Sequence, residues 1–135
     1  MKELNSYETA CVIAGLLDDK KASDIVILDI GRVSVLADYF VICSTDSLTQ
    51  SNALKELLST ELKNKYNRFS KNDQNDQSGK WVLFDYGDVV IHILHKEARE
   101  YYAIEKFWSH SFVIDRDKWL QEYQNSQKED IKAAN

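Results

Sequence analysis

No apolar run in this 135-residue chain approaches the length that crosses a bilayer. Its first ten residues carry Glu3 and Glu8 and lack a basic start followed by an apolar core, so neither a secretory signal nor an organelle transit peptide is expected. Cysteine is scarce. Cys11 and Cys43 each sit among apolar neighbours and read as small core side chains rather than a disulfide or redox pair, so the chain is expected in a reducing cytoplasm. Glycine is scarce as well: only Gly15, Gly31, Gly79 and Gly87 occur, none at the strand-to-helix junction where a phosphate cradle would need one. Nor is there an excess of base, since 22 acidic against 17 basic residues leave a formal charge of -5. Phosphate repels such a chain unless its cations cluster. The one dense basic stretch, Lys63, Lys65, Arg68 and Lys71, reads more simply as a solvated helix end near the dipole's negative pole than as an RNA contact. A basic protein suits this charge better than bare RNA. What is present, 44% hydrophobic residues over 135 positions, suits one compact domain.

Ser6 to Asp19 reads as a helix, with Ser6 as N-cap and Ala10, Ile13, Ala14 and Leu17 at helical spacing. Asp24 to Ile30 is apolar on both faces, as in a central strand, and Tyr39 to Cys43 makes a second buried strand. Ser47 and Gln50 form a capping-box pattern ahead of a long helix striped by Leu54, Leu57, Leu58, Leu62 and Tyr66. Residues Ser70 to Lys80 are polar and rich in turn formers, which predicts a flexible surface loop. Trp81 to Phe84 and Val89 to Leu94 read as a hairpin across Asp85-Tyr86-Gly87-Asp88, where Gly87 can take a positive φ. A helix from Glu97 to Trp108 follows, then a short edge strand at Phe112 to Ile114. From Arg116, the residues Trp119, Leu120 and Tyr123 can dock one more helical turn, and beyond Asn125 the tail is expected to be disordered. The expected organisation is a single α/β domain over 1–115, an α+β mixed sheet flanked by helices, with a partly disordered extension over 116–135.

Catalytic and metal chemistry find little support. Asp85, Asp88, His92 and His95 hold the ligand types of a metal site. Strand alternation, however, sends Asp88, Val90 and His92 one way and His95 the other, so no metal is expected. Asp85 and Asp88 then read as turn caps and His92 as a half-buried surface residue. Cys43 lies inside an apolar strand, where a thiol has a raised pKa and poor access. Ser44 and Ser47 stand at a strand end entering a helix, yet no Gly-x-Ser-x-Gly elbow surrounds them and capping accounts for Ser47. Trp81, at a strand start, and Tyr86, in a turn, are as well placed to anchor an interface as to fill a core, whereas Trp108 reads as core.

Four stretches together resemble the ribosomal silencing factor family, also called the Iojap family. They are Asp24-Ile25-Val26-Ile27-Leu28-Asp29; Leu36-Ala37-Asp38-Tyr39-Phe40-Val41-Ile42-Cys43-Ser44; Trp81-Val82-Leu83-Phe84-Asp85-Tyr86-Gly87-Asp88-Val89-Val90-Ile91-His92; and Glu97-Ala98-Arg99-Glu100-Tyr101-Tyr102 running on to Glu105-Lys106-Phe107-Trp108. The likeness spans roughly residues 6 to 109 and is most specific in the third stretch. It implies a nucleotidyltransferase-like fold without catalytic residues and no cofactor. It also implies binding to large-subunit ribosomal protein number fourteen, steric prevention of subunit joining, and so repression of translation when nutrients are scarce. Family members often form homodimers. The partner-binding surface it implies takes Trp81 as an apolar anchor, Asp85, Tyr86 and Asp88 as polar contacts and Gly87 as the turn that presents them, with His92, Arg99, Tyr102 and Glu105 around them. Asp38 matches as well and reads as a structural cap. Two departures stand out: Thr45-Asp46-Ser47 replaces the usual Gly-Thr-Ser, and Lys96 replaces a common proline. The first weakens the alternative, a nucleotidyltransferase-like nucleotide-binding enzyme, which needs a Gly-Ser helix start and a carboxylate pair for two metal ions.

Overall fold

The computed structural model describes residues 3–134, and the side chains of all of these but 72, 74, 75 and 130–134. Eleven elements follow in the order α1 (Ser6–Asp19), β1 (Ser23–Asp29), β2 (Tyr39–Thr45), α2 (Leu48–Tyr66), β3 (Asn72–Asn75), β4 (Trp81–Asp85), β5 (Val89–His95), α3 (Lys96–Tyr102), α4 (Ile104–Phe107), β6 (Phe112–Ile114) and α5 (Arg116–Ala134). The strands form one mixed sheet in the order β3-β4-β5-β2-β1-β6, flanked by helices as expected. Only β2 and β5 run parallel, because the long crossover through α2 and the β4–β5 hairpin brings β5 back in the direction of β2; the other pairs are antiparallel. Among the described residues no helix is long and apolar enough to cross a membrane.

Period-two alternation gives the sheet two buried faces of unequal cover. Val41, Cys43, Phe84, Ile91 and Ile93 pack on the first face under Ile13 and Leu17 of α1 and Leu58 and Leu62 of α2, with Trp119 and Tyr123 of α5 in the same core. Leu28, Phe40, Ile42, Val90 and Leu94 line the second face, where only the short helices α3 and α4 cover them through Ala98 and Ile104; Trp81, Leu83 and Trp108 stay partly exposed at the edge of this smaller cluster. Free Cys11 and Cys43 are both buried.

Four expectations change. The cap of α1 is Asn5, not Ser6: Asn5 Oδ1 accepts from the Glu8 amide at 2.8 Å and Glu8 Oε1 accepts from the Asn5 amide at 3.1 Å, while Ser6 Oγ donates to Asp38. The stretch expected as a flexible loop contains β3, an edge strand paired in register with β4 from Asn72↔Asp85 to Asn75↔Val82. An edge strand needs no apolar face to be paired, so its polar residues carried no period-two signal. The helix expected over 97–108 breaks at Ala103, which sits in the left-handed region at φ 48°, and the break turns Ile104 into the second core. Neither Gly nor Pro marks that break.

The fourth change is the C-terminus. Beyond Asn125 the chain is helical to Ala134 rather than disordered, and α5 lies along α1. Trp119 is 1% exposed, Tyr123 covers Gly15 so closely that a Cβ there would stand 2.1 Å from its ring, and Arg116 pairs with Asp18 at 2.7 Å. Residues 3–115 and the Trp119–Tyr123 stretch of α5 therefore share one core.

Candidate partner-binding surface

The β4–β5 hairpin carries the residues on which the surface was expected, and its turn is held from within. Asp85 Oδ1 accepts from the Gly87 amide at 2.7 Å, and Gly87 takes φ 91°, a left-handed value that favours glycine. A Cβ on Gly87 would also meet Lys71 Nζ at 2.9 Å. Tyr86 is buried at 4% exposure in the first core, beneath the Arg68 guanidinium, whose centre lies 5.7 Å from the ring centroid. Arg68 also donates to both carboxylate oxygens of Asp88, at 2.5 and 3.3 Å, to the Tyr86 carbonyl at 3.0 Å and to Thr9 Oγ1 at 3.2 Å. Burial alone would raise the Asp88 carboxyl, but hydrogen bonds and charge from Arg68 outweigh it and hold the group below its ordinary value.

These contacts bear on two expectations. Tyr86, expected to meet a partner, is buried, and Asp88, whose side chain stays 28% exposed, helps it fasten the turn toward α1 and the end of α2, because the ring has a core to fill and the carboxylate a cation to pair with. Arg68, expected at a solvated helix end, faces inward as that cation; α2 ends instead on Asn67 at φ 53°. Replacing Arg68 by Ala leaves Asp88 without its main partner in a site where both side chains are about three-quarters covered. The expected cost is about 1–2 kcal/mol after discounting for the remaining solvent, read as a fall in the urea midpoint at pH 7. An unchanged midpoint would remove Arg68 from the turn's supports.

The other face of the hairpin is apolar and open. Trp81 Nε1 donates to His92 Nδ1 at 3.1 Å, and the Trp81 ring centroid lies 4.6 Å from that of Tyr102. Phe40 meets His92 at 4.6 Å and Trp108 at 5.2 Å, both edge to face. Together with Ile104 and Phe107 these side chains line a hollow of about 280 Å³. Its rim is unusually exposed for aromatics, with Tyr102 at 42% and Phe107 at 83%.

His92 is more deeply placed than expected, at 5% exposure rather than half-buried. Desolvation pushes its pKa down to about 4, so the imidazole is neutral near pH 7. Indole N–H is a donor only, so Nδ1 accepts and the ring proton resides on Nε2. That Nε2 is buried and has no hydrogen-bond partner among the described residues.

Arg99 and Glu105, also expected at the surface, form the clamp that shapes this rim. Arg99 Nε and Nη2 donate to the Glu105 carboxylate at 2.8 and 3.0 Å across the helix break, and Nη1 donates to Ser44 Oγ at 3.0 Å and to the Asp24 carbonyl. Those hydrogen bonds hold the Glu105 carboxyl below its ordinary value. They also leave the open groove of about 710 Å³ beside Asp24, Ser44 and Arg99 with an arginine four of whose five N–H donors are already engaged.

Of the expected residues, the structure brings together Trp81, His92 and Tyr102; it puts Arg99 and Glu105 behind them as support, and turns Tyr86 and Asp88 away. Sequence reasoning missed Phe40, Ile104 and Phe107 as parts of the hollow. The signal was present in the density of aromatics between Tyr101 and Trp108, which outnumbers what one buried helix stripe can hold. Among the described residues no group of three His, Cys, Asp or Glu is close enough to hold a metal ion.

Comparison with known proteins fits this geometry into a family. The family described as "Ribosomal silencing factor during starvation" matches residues 3–135. The ribosomal silencing factor of Bacillus subtilis is 36% identical over 114 residues, covering 84% of this chain and 96% of that protein. A solved structure of a Chromobacterium violaceum protein superposes with a TM-score of 0.73 at 31% identity, covering 78% of this chain and 88% of that one. A mouse protein named for mitochondrial assembly of the ribosomal large subunit is 31% identical over 101 residues, 73% of this chain and 44% of that protein.

Proposed function

Since the chain belongs to the ribosomal silencing factor family, we propose that it silences ribosomes by docking on large-subunit ribosomal protein number fourteen and sterically preventing the small subunit from joining, so that translation falls under nutrient limitation. The observation that carries this reading is the unequal cover of the sheet: the second face ends in an aromatic hollow rimmed by Trp81, Tyr102 and Phe107, and exposed aromatic clusters of this kind anchor protein interfaces. The formal charge of -5 favours a basic protein over bare phosphate. A relative named for large-subunit assembly points to the same half of the ribosome.

The action requires no catalysis. In support, burial pushes the Cys43 thiol up to about 12, Ser44 Oγ is engaged by Arg99, and Ser47 Oγ accepts from the Gln50 amide as the cap of α2. Trp81, His92 and Tyr102 are the contacts we assign; Asp85 and Gly87 hold the turn beside them, and Arg99 and Glu105 position the rim.

The test is sedimentation of the purified chain with large ribosomal subunits, followed by addition of small subunits. Co-sedimentation and a loss of joined ribosomes are expected; free joining in the presence of bound protein would defeat the steric reading. Trp81→Ala should weaken binding by about 2 kcal/mol or more, roughly thirtyfold, if the indole is a hot spot. Equal affinity in a folded Trp81→Ala variant would strike Trp81 from the surface. Ultracentrifugation of the chain alone reads the homodimer that the family resemblance implies.

A further inference from the structure

The buried Nε2–H of His92 is a donor with nothing to donate to; among the described residues the Ser126 hydroxyl, buried elsewhere on α5, is the other side-chain polar atom so left. Protonation offers it no relief, because burial disfavours the charged ring. The imidazole forms part of the wall of the 280 Å³ hollow, whose remaining walls are aromatic or aliphatic. That volume is at the lower end for a small-molecule pocket and suits one or two side chains. Aromatic walls alone would suit a cation, but a neutral N–H donor repels one and selects an acceptor.

We propose that the hollow receives one apolar side chain of the partner protein and that a main-chain carbonyl of the same partner segment accepts the His92 Nε2–H. This rests on the ribosome-docking reading and deepens it by naming what the surface recognises. His92 lines the hollow and its Nε2 is covered, so the carbonyl reaches it as Phe107 and Tyr102 give way, and both are exposed enough to turn aside. The kink at Ala103 places Tyr102 at the end of one helix and Phe107 at the end of the next, which brings both to the hollow although they are five residues apart. A stacked RNA base is a poorer occupant because two of the nearby cations are already paired, Lys80 with Glu97 at 2.7 Å and Arg99 with Glu105 at 2.8 Å, which leaves Lys106 as the exposed cation beside the rim. A groove that follows a phosphate chain keeps such cations free.

The experiment titrates the labelled full chain with purified bacterial large ribosomal subunits and, in parallel, with ribosomal RNA extracted from them. His92→Phe keeps an aromatic ring and removes the donor; Phe107→Ala removes a rim side chain that is 83% exposed and does not hold the fold. Each variant is expected to bind subunits at least tenfold more weakly than the unaltered chain, with circular dichroism unchanged. Binding within twofold of the unaltered chain, by either folded variant, overturns the proposal while leaving ribosome docking in place. If His92→Phe does not fold, Phe107→Ala decides alone. Phe107-dependent binding to the extracted RNA would replace the protein segment with a base and overturn it too. Failure of the unaltered chain to bind subunits brings down both this inference and the proposed function.

Discussion

Trp119→Ala should cost about 3–5 kcal/mol of stability, the range for emptying a fully buried indole site. Trp119 is 1% exposed and belongs to the larger core together with Ile13 and Leu17 of α1. Arg116 lies over its ring at 5.0 Å, so truncation also removes a cation–π contact. One turn further along, the Tyr123 ring lies on Gly15 and its hydroxyl donates to Asp19 at 2.5 Å. Losing Trp119 therefore weakens the whole seam between α1 and α5, and chemical denaturation should show a lower midpoint in a single transition. A loss under about 1 kcal/mol, or a separate early transition for α5, would mean that the helix merely rests on a domain complete without it.

That seam also shows where the sequence was readable. The apolar strands β1, β2 and β5 and the striped helix α2 announced themselves because burial on two faces, or on one helical face, demands a visible pattern. In α5 the helical face rests on Trp119, Tyr123 and the small Ser126, with polar residues between, so an amphipathic signal of about one apolar residue per turn was mistaken for a docked turn and a loose tail. The Ala103 break was silent for a different reason. Its cause is tertiary: the Arg99–Glu105 clamp and the burial of Ile104, which no local residue type encodes. The site divided in the same way. Trp81 and His92 could be placed on one face by strand alternation, whereas the inward turn of Tyr86 and Asp88 depends on Arg68, eighteen and twenty positions earlier in the chain.

His92 should make the folded chain lose about 3 kcal/mol of stability as pH falls from 6.5 to 4. The sign follows from the two states. Its ordinary pKa is 6.5 and its folded value is about 4, so above pH 6.5 neither state holds the proton and the full stability is present. Between the two values the unfolded chain takes up a proton that the buried ring refuses, and each pH unit of that window is worth about 1.4 kcal/mol. Below pH 4 both states are protonated and this contribution stops changing. The lowered carboxyls of Asp88 and Glu105 act further down, because their ordinary values are 3.8 and 4.5 and their contribution is complete above that range. The interval from 6.5 to about 5.5, a pH unit above the highest of those carboxyl values, thus isolates the imidazole. Unfolding free energies measured across it should slope for the unaltered chain and flatten in His92→Phe; parallel curves would show that the ring titrates normally and is not desolvated. The same linkage sets its role near neutral pH. About three pH units above its folded pKa the ring stays uncharged, so it serves the hollow as a fixed neutral donor and not as a pH sensor.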